Sequence, residues 1–276
     1  MSLDRKINRI QFLSGNSLKV IAVLTMLIDH LCKIVLQWLL SNYWGAMADN
    51  GQMSWERFRE IDYFIRFDLQ SIGTIAFPLF CFLLAEGFQH TRSKKRYIGL
   101  MLAFALISEV PFDIGFFNAY SRMEGTFPFY LKYQNVFFTL FLGLLTLACL
   151  ERCSCKSQVR TDKIKSVVLQ VVSVALFSVI AELIRCDYGI QGILFISAFY
   201  VCRSHRVYQV LLFLLAYMGA TGNQPTMCIL FACLLILLYN GRRGKLKLKR
   251  FFYVFYPLHI TILYLFRLLL EKSMIT

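Results

Sequence analysis

A lysine and a histidine, two residue types that can act together in group transfer, stand in the first long apolar run of the chain. Lys19 and His30 are eleven residues apart in LKVIAVLTMLIDHLCK. At about 3.6 residues per turn and 1.5 Å per residue, both side chains fall on one helix face, about 16 Å apart along its axis. A neutral histidine is a competent general base near pH 7. The spacing therefore predicts an imidazole near the middle of the helix and a cation near its first turn. The cation could bind the phosphates of a cofactor whose narrow, extended part reaches the imidazole. The alternative is a neutral imidazole that only forms hydrogen bonds between neighbouring helices.

Carboxylates accompany this histidine in the first two apolar runs. Asp29 precedes it and can pair with Lys33, which lies one helical turn further on. Glu86 and His90 have the same spacing near the end of the second run. We predict that His30 and Asp29 are catalytic and that Asp29 or Glu86 orients the imidazole ring.

A basic cluster follows the second run directly, in the sequence HTRSKKRY. Such a cluster beside a membrane span can bind phosphates, and Glu86 and His90 could take part. The alternative for these two residues is a simple ion pair whose side chains extend towards water. The predicted cofactor-binding residues are Lys19, Glu86, His90, Arg92, Lys94 and Lys95.

Further polar side chains are predicted on the opposite side of the molecule. Glu109 and Asp113 flank Pro111 at a spacing of four, so they could share a proton, pair with an arginine such as Arg185, or bind a cationic acceptor. Helix capping is the alternative for Asn135 and Tyr188. Tyr253, Tyr256 and His259 fall on one helix face, so a packed aromatic stripe is the alternative for His259. The predicted acceptor-binding residues are Glu109, Asp113, Asn135, Tyr188 and His259.

The elements that must position these residues are membrane-spanning helices. Of the 276 residues, 58% are hydrophobic and the mean hydropathy is +0.57. A membrane span needs about 20 mostly apolar residues in a helix. Lipid tails offer no hydrogen bonds to backbone N–H and C=O groups, so these groups must pair with each other. The sequence predicts one all-α integral membrane domain over 1–276 with nine spans, eight or ten being possible, preceded by a basic interfacial segment (1–17) and interrupted by an outer amphipathic loop (41–69). The predicted spans are 18–40, 70–90, 97–117, 134–150, 166–184, 188–202, 207–221, 225–239 and 251–270.

The net charge of +14 is explained by its distribution. Basic residues concentrate before the first span and after each even-numbered span, as in the Lys- and Arg-rich stretch 242–250. Positive loops stay in the cytoplasm, so the N-terminus is predicted inside and the C-terminus outside. Nucleic acid is not needed to explain the charge. The four histidines are scattered, so no metal site is expected.

Several blocks resemble the TraX family, in the same order and through nearly the whole chain. They are LKVIAVLTMLIDH, IGTIAFPLFCFLLAEGFQHTRSKKRY, ALISEVPFD, QNVFFTLFLGLL, CDYGIQGIL and KRFFYVFYPLHI. The resemblance implies a protein of the bacterial cytoplasmic membrane associated with N-terminal acetylation of pilin. It also implies a relation to transmembrane acyltransferases that pass acetyl groups from cytoplasmic acetyl-CoA to surface glycans. Lys19 and His30 have the spacing of an arginine and an essential histidine in those enzymes, although lysine lacks the bidentate arginine fork.

The sequence and the resemblance together predict an acetyl-CoA-dependent acetyltransferase embedded in the lipid bilayer. The acceptor is left open between a pilin amine, a glycan hydroxyl and a lipid-linked sugar. The main alternative is a proton-coupled transporter or flippase that uses Asp29, Glu86, Glu109 and Asp113. A third possibility, a purely structural assembly factor, predicts tolerance of a neutral replacement of His30.

Overall fold

The computed structural model of the protein describes residues 11–117, 130, 132–154, 157, 159–245 and 249–275. Within these ranges the chain folds into nine helical stretches and contains no strand beyond two isolated bridges. The helices are α1 (Gly15–Asp49), α2 (Trp55–His90), α3 (Lys94–Phe117), α4 (Val136–Cys153), α5 (Arg160–Leu183), α6 (Gly189–Val201), α7 (Arg206–Thr221), α8 (Met227–Leu237) and α9 (Lys249–Ile275). The protein is therefore an all-helical membrane protein.

Six of the described helices, α1 to α5 and α9, are long and apolar enough to cross a membrane. The helices α6, α7 and α8 are apolar but shorter. Each predicted span coincides with one of these helices, whereas a count of nine crossings and the N-terminus-in orientation stay predictions. The outward faces of α5 and α9 are apolar, with Val167, Val171, Leu258 and Ile262 about half exposed. Such faces suit contact with lipid.

The predicted outer loop at 41–69 is instead mostly helical, because it continues α1 and α2 into a long hairpin. At 35 and 36 residues, these helices are each about 50 Å long, which exceeds the roughly 30 Å of hydrocarbon in a bilayer. A small apolar cluster of Cys32, Leu40 and Ile65 joins the two arms. Ser54 caps the second arm by accepting a hydrogen bond from the Arg57 amide.

The core of the bundle is built around the apolar second half of α2, which packs against α1, α4, α6 and α8. Phe82 of α2 meets Phe199 of α6 edge to face, and Phe199 stacks on Phe213 of α7. All three rings are fully buried. The long helix α9 packs against α3 and the middle of α1 and adds Tyr256, Ile260 and Leu263 to this core.

The start of α1 is fixed to the chain that follows α8. The Gly15 and Asn16 amides donate to the carbonyls of Arg242 and Arg243, at 2.8 and 3.0 Å. This pairing brings the first turn of α1 next to a basic part of the chain. Residues 1–10 of the predicted interfacial segment and residues 246–248 of the basic stretch 242–250 lie outside the described residues.

Glycines allow close approach between helices at two places that matter for the site. A Cβ built on Gly115 of α3 would lie 2.6 Å from Ile260 Cγ2 of α9. A Cβ on Gly192 of α6 would overlap Thr139 Cγ2 of α4 and lie 3.1 Å from Phe77 Cζ. Thr139 cannot turn away freely, because its hydroxyl donates to the Asp187 carbonyl.

Gly192→Ala is therefore expected to lower the free energy of unfolding by about 1–3 kcal/mol, since overpacking forces neighbouring groups to shift. The measurement is the thermal unfolding midpoint of the purified protein in detergent. Gly219→Ala in α7 is the matched control, because a Cβ there meets no described atom within 4 Å. Equal midpoints for the two variants would contradict the close approach of α6 to α4.

Candidate functional site

One large cavity, about 1630 Å³ in volume, lies between α1, α2, α3, α4 and α9. Its basic end is lined by Lys19, His90, Arg92, Arg96 and Arg243. Its polar end is lined by Lys33, Gln37, Gln70, Tyr133, Gln134, Asp187 and Tyr188. Asp29 and His30 stand on the wall between the two ends. The structure thus confirms that Lys19 and His30 share one face of α1 and face one space.

His30 is held from behind by a second histidine. Its Nδ1 lies 2.6 Å from Nε2 of His259 on α9. The edges of Phe116 and Tyr256 surround the imidazole, with ring centroids 5.0 and 5.8 Å away. Only 8% of His30 is exposed, so this ring is fixed in a packed environment and reaches the cavity with one edge.

His259 does not line the cavity among the described residues, in contrast to the predicted acceptor contact. Its Nδ1 lies 2.7 Å from the Phe255 carbonyl one turn earlier on α9. Tyr253 and Tyr256, which share the helix face of His259, do line the cavity. The helix face predicted for α9 therefore points at the site, but the histidine contacts His30 in place of an acceptor.

Asp29 stands on the cavity side of His30. Its Oδ2 lies 3.9 Å from His30 Nε2 and accepts a 2.7 Å hydrogen bond from Lys33 Nζ. Gly73 of α2 packs on the Asp29 side chain so closely that a Cβ there would overlap it. The carboxylate is therefore fixed by a salt bridge within α1 and by the α2 backbone, facing the outer nitrogen of His30.

Glu86 does not orient His30, because its carboxylate is bound elsewhere. It accepts from Arg206 at the start of α7 at 3.2 Å and lies 3.7 Å from His90 Nε2. The Arg206 guanidinium stands over the rings of Phe82 and Tyr239, 4.7 and 5.0 Å from their centroids. Sequence reasoning missed Arg206 as a partner, since it is separated from Glu86 by 120 residues and had no local signal.

The basic cluster after α2 divides between the cavity and the surface. Arg92, a predicted cofactor contact, lines the cavity, and so does Arg96, which had not been assigned a role. Lys94 forms a salt bridge with Glu151 of α4 and stands 4.7 Å above the Phe88 ring. Lys95 is exposed and is not among the described residues that line the cavity. Successive helix residues point about 100° apart, which separates these neighbours.

The polar residues Glu109, Asp113 and Asn135 hold the chain before α4 in place, and none belongs to the described cavity wall. Asn135 is the N-cap of α4, its side chain accepting from the Phe137 amide at 3.0 Å and donating to the Glu109 carboxylate. Asp113 accepts from the Tyr130 amide at 2.6 Å. The contacts seen are thus scaffold contacts, including the capping that was the alternative for Asn135, in place of the predicted acceptor contacts.

Tyr188 reaches the polar end through a strained turn. Arg185 and Tyr188 adopt left-handed conformations, with φ of 53° and 64°, which non-glycine residues adopt rarely. The turn is fixed to Gln134, which donates to the Arg185 carbonyl and accepts from the Asp187 amide at 3.0 and 2.8 Å. Tyr188 stacks on Phe77 at the cavity wall, and its acceptor contact stays a prediction.

Asp187 and the pair Gln37 and Gln70 complete the polar end. Removal from solvent raises the pKa of the Asp187 carboxyl, which lies in the turn before α6, to about 6, although nearby Lys33 opposes the rise. Gln37 of α1 donates to Gln70 of α2 at 3.0 Å. Gln37 stands alone in the apolar stretch IVLQWLL, and that is the sequence signal that could have identified it, whereas Gln70 lies between Asp68 and Ser71 and has no such signal.

Sequence comparisons give matches along nearly the whole chain. Residues 14–267 match a family profile described as TraX protein. Over 268 residues the chain is 29% identical to a protein of Dichelobacter nodosus named "Probable fimbrial assembly protein FimC, serogroup H1". This alignment covers 91% of this chain and 94% of the relative. No solved structure gives a significant match. The matched range includes Lys19, His30, His259 and the cavity between them.

Proposed function

The chain belongs to the TraX protein family, and from this premise and the geometry of its cavity we propose that it is a membrane-bound acetyltransferase. The donor is acetyl-CoA, bound with its phosphates at the basic end. The acceptor is an amine or hydroxyl group that enters from the polar end. The basic end faces the cytoplasm in this proposal, because positively charged segments stay on that side of a membrane.

One observation carries this proposal: a single cavity joins a cluster of cations to a buried histidine. The wall between the basic end and His30 is apolar, formed by Leu83, Leu84, Leu100, Met101 and Phe104. An apolar wall suits the uncharged part of an extended cofactor arm better than it suits a charged solute. Three arginines and a lysine at one end match the several phosphates of coenzyme A.

The proposed transfer needs no reagent beyond the two substrates. His30 Nε2 takes the proton of the acceptor amine or hydroxyl, and the acceptor lone pair forms a bond to the thioester carbonyl carbon. The carbon–sulfur bond then breaks, and the proton passes from His30 to sulfur, releasing coenzyme A as the thiol. In a two-step route the same nitrogen carries the acetyl group first.

The relatives suggest which acceptor to test first. The Dichelobacter nodosus relative is named for fimbrial assembly, and the family resemblance implies N-terminal acetylation of pilin. A pilin N-terminal amine is therefore the first candidate, followed by a glycan hydroxyl and a lipid-linked sugar. Each would meet His30 from the polar end, past Asp187 and Tyr188.

The test is an incubation of the purified protein in proteoliposomes with radiolabelled acetyl-CoA and membranes from the source cell. We expect label to enter one membrane or surface product in step with release of free coenzyme A. Release without a labelled product, with label on the protein, indicates the two-step route. Solute uptake with no loss of acetyl-CoA would overturn the proposal in favour of a transporter.

Arg96→Ala is expected to raise the KM for acetyl-CoA about 10-fold, the effect of losing one charge-assisted hydrogen bond to a phosphate. The kcat should change little, because Arg96 is at the basic end, away from His30. Lys95→Ala is the matched control, since it removes an adjacent charge that the cavity does not use. If both variants raise KM equally, the effect is one of general surface charge and the binding site is misplaced.

A further inference from the structure

We infer that His259 is a positioning residue that fixes the tautomer of His30, so that the nitrogen facing the cavity is the one without a proton. The catalytic role of this tautomer rests on the proposed function. The assignment of the tautomer rests on geometry alone. The two can therefore fail separately.

The contact between the two histidines is a hydrogen bond in the plane of both rings. The imidazole planes are within 8° of each other and their centroids are 4.8 Å apart. Face-to-face rings stay about 3.5 Å apart at van der Waals contact, so nitrogens only 2.6 Å apart cannot belong to a stack. The rings meet edge to edge. The hydrogen of this bond lies in the common plane, between Nδ1 of His30 and Nε2 of His259.

The Phe255 carbonyl decides which ring donates. A carbonyl oxygen only accepts, so the His259 Nδ1 at 2.7 Å must carry a hydrogen. In a neutral imidazole the other nitrogen, Nε2 of His259, is then an acceptor. The hydrogen of the inter-ring bond must therefore come from Nδ1 of His30, which leaves Nε2 of His30 with a free lone pair.

This lone pair is aimed at the place where the proposed chemistry occurs. His30 Nε2 is on the side of Asp29, whose Oδ2 is 3.9 Å away on the cavity wall. The gap is too long for a direct hydrogen bond, so the nitrogen is available to an acceptor proton. Once it is protonated, Asp29 stands where it can stabilise the imidazolium.

The arrangement follows a general logic of base catalysis, in which a third group holds the base in its reactive tautomer. Here that group is a neutral imidazole bound to a helix carbonyl. The close packing of Gly115 against Ile260, the residue after His259, and against Ile34 of α1 lets α9 come near enough to deliver it.

Two substitutions of His259 separate positioning from packing. Glutamine places an amide oxygen near the former Nε2 and retains an acceptor for His30, whereas leucine fills the space without one. We expect His259→Leu to lower kcat about 100-fold or more with little change in the KM for acetyl-CoA. His259→Gln should recover a substantial part of that loss. A leucine variant with unchanged kcat, or equal losses for both variants, would overturn the positioning role.

The tautomer is read directly from the protein labelled with ¹⁵N-histidine, by the chemical shifts of the ring nitrogens. The four histidines give few signals, and that of His30 is identified by its loss in His30→Gln. In the wild type we expect a single form with hydrogen on Nδ1, and in His259→Leu a mixture of tautomers. His205→Leu, in the exposed turn before α7, should leave the His30 signals as they are. Hydrogen on Nε2 of His30 in the wild type refutes the inference, even if acetyl transfer is found.

If acetyl transfer is absent in the wild type but the Nδ1–H tautomer is present and depends on His259, the proposed function fails and the positioning geometry stands. If transfer is present and the tautomer is the other one, the proposed function stands without this device. The folding of each variant is checked by its elution as a single species in detergent.

Discussion

His30→Gln is expected to reduce acetyl transfer by a factor of about 100 to 10,000, the range that a positioned general acid and base contributes. Glutamine keeps the approximate size of the imidazole, but it cannot accept a proton. The binding of acetyl-CoA should persist, because the basic end is unchanged. The measurement is release of free coenzyme A from labelled acetyl-CoA by equal amounts of purified wild type and variant.

His205→Gln is the control for this experiment, because it makes the same change at an exposed histidine in the turn before α7. It should retain the wild-type rate. Retention of the full rate by a folded His30→Gln protein would remove the acetyltransferase mechanism. A structural assembly factor would then be favoured, since such a protein tolerates a neutral replacement at this position.

Glu86→Leu is expected to destabilise the protein by about 3–5 kcal/mol, because it leaves the Arg206 guanidinium without its carboxylate in a largely buried place. The Glu86 and Arg206 side chains are only 11% and 18% exposed. The double replacement Glu86→Leu with Arg206→Leu should recover much of the loss, since no unpaired charge remains. The measurement is thermal unfolding in detergent, followed by a thiol-reactive dye that reports exposure of buried cysteines such as Cys81.

Glu151→Gln supplies the comparison, because the Lys94–Glu151 pair is more exposed, at 32% and 47%. A pair of this kind contributes about 1 kcal/mol or less. If Glu86→Leu is no more destabilising than Glu151→Gln, the Glu86–Arg206 pair does not join α2 to α7 as described. If the double variant is no more stable than Glu86→Leu, the loss in Glu86→Leu does not come from an unpaired Arg206 charge.

The sequence alone determined the helices and the face of α1 that carries the site. Hydrophobic runs and helical periodicity are local properties, and the lipid environment allows few backbone structures other than helices. Lys19 and His30 therefore fell on one face by spacing, and the structure places that face on the cavity. Tyr253 and Tyr256 reach the same space because their spacing also follows the helix period.

Only the tertiary structure decided which side chain meets which across helices. His30 and His259 are 229 residues apart, and nothing in either segment identifies the other as its partner. Glu86 was expected near His30 and is bound to Arg206, while Asn135 binds Glu109 where an acceptor was expected. In a bilayer, lipid and a neighbouring helix offer an apolar face similar surroundings, so hydrophobicity does not select a partner. Close contacts at residues such as Gly73, Gly115 and Gly192, together with a few buried polar pairs, make that selection, and they form only when the helices pack.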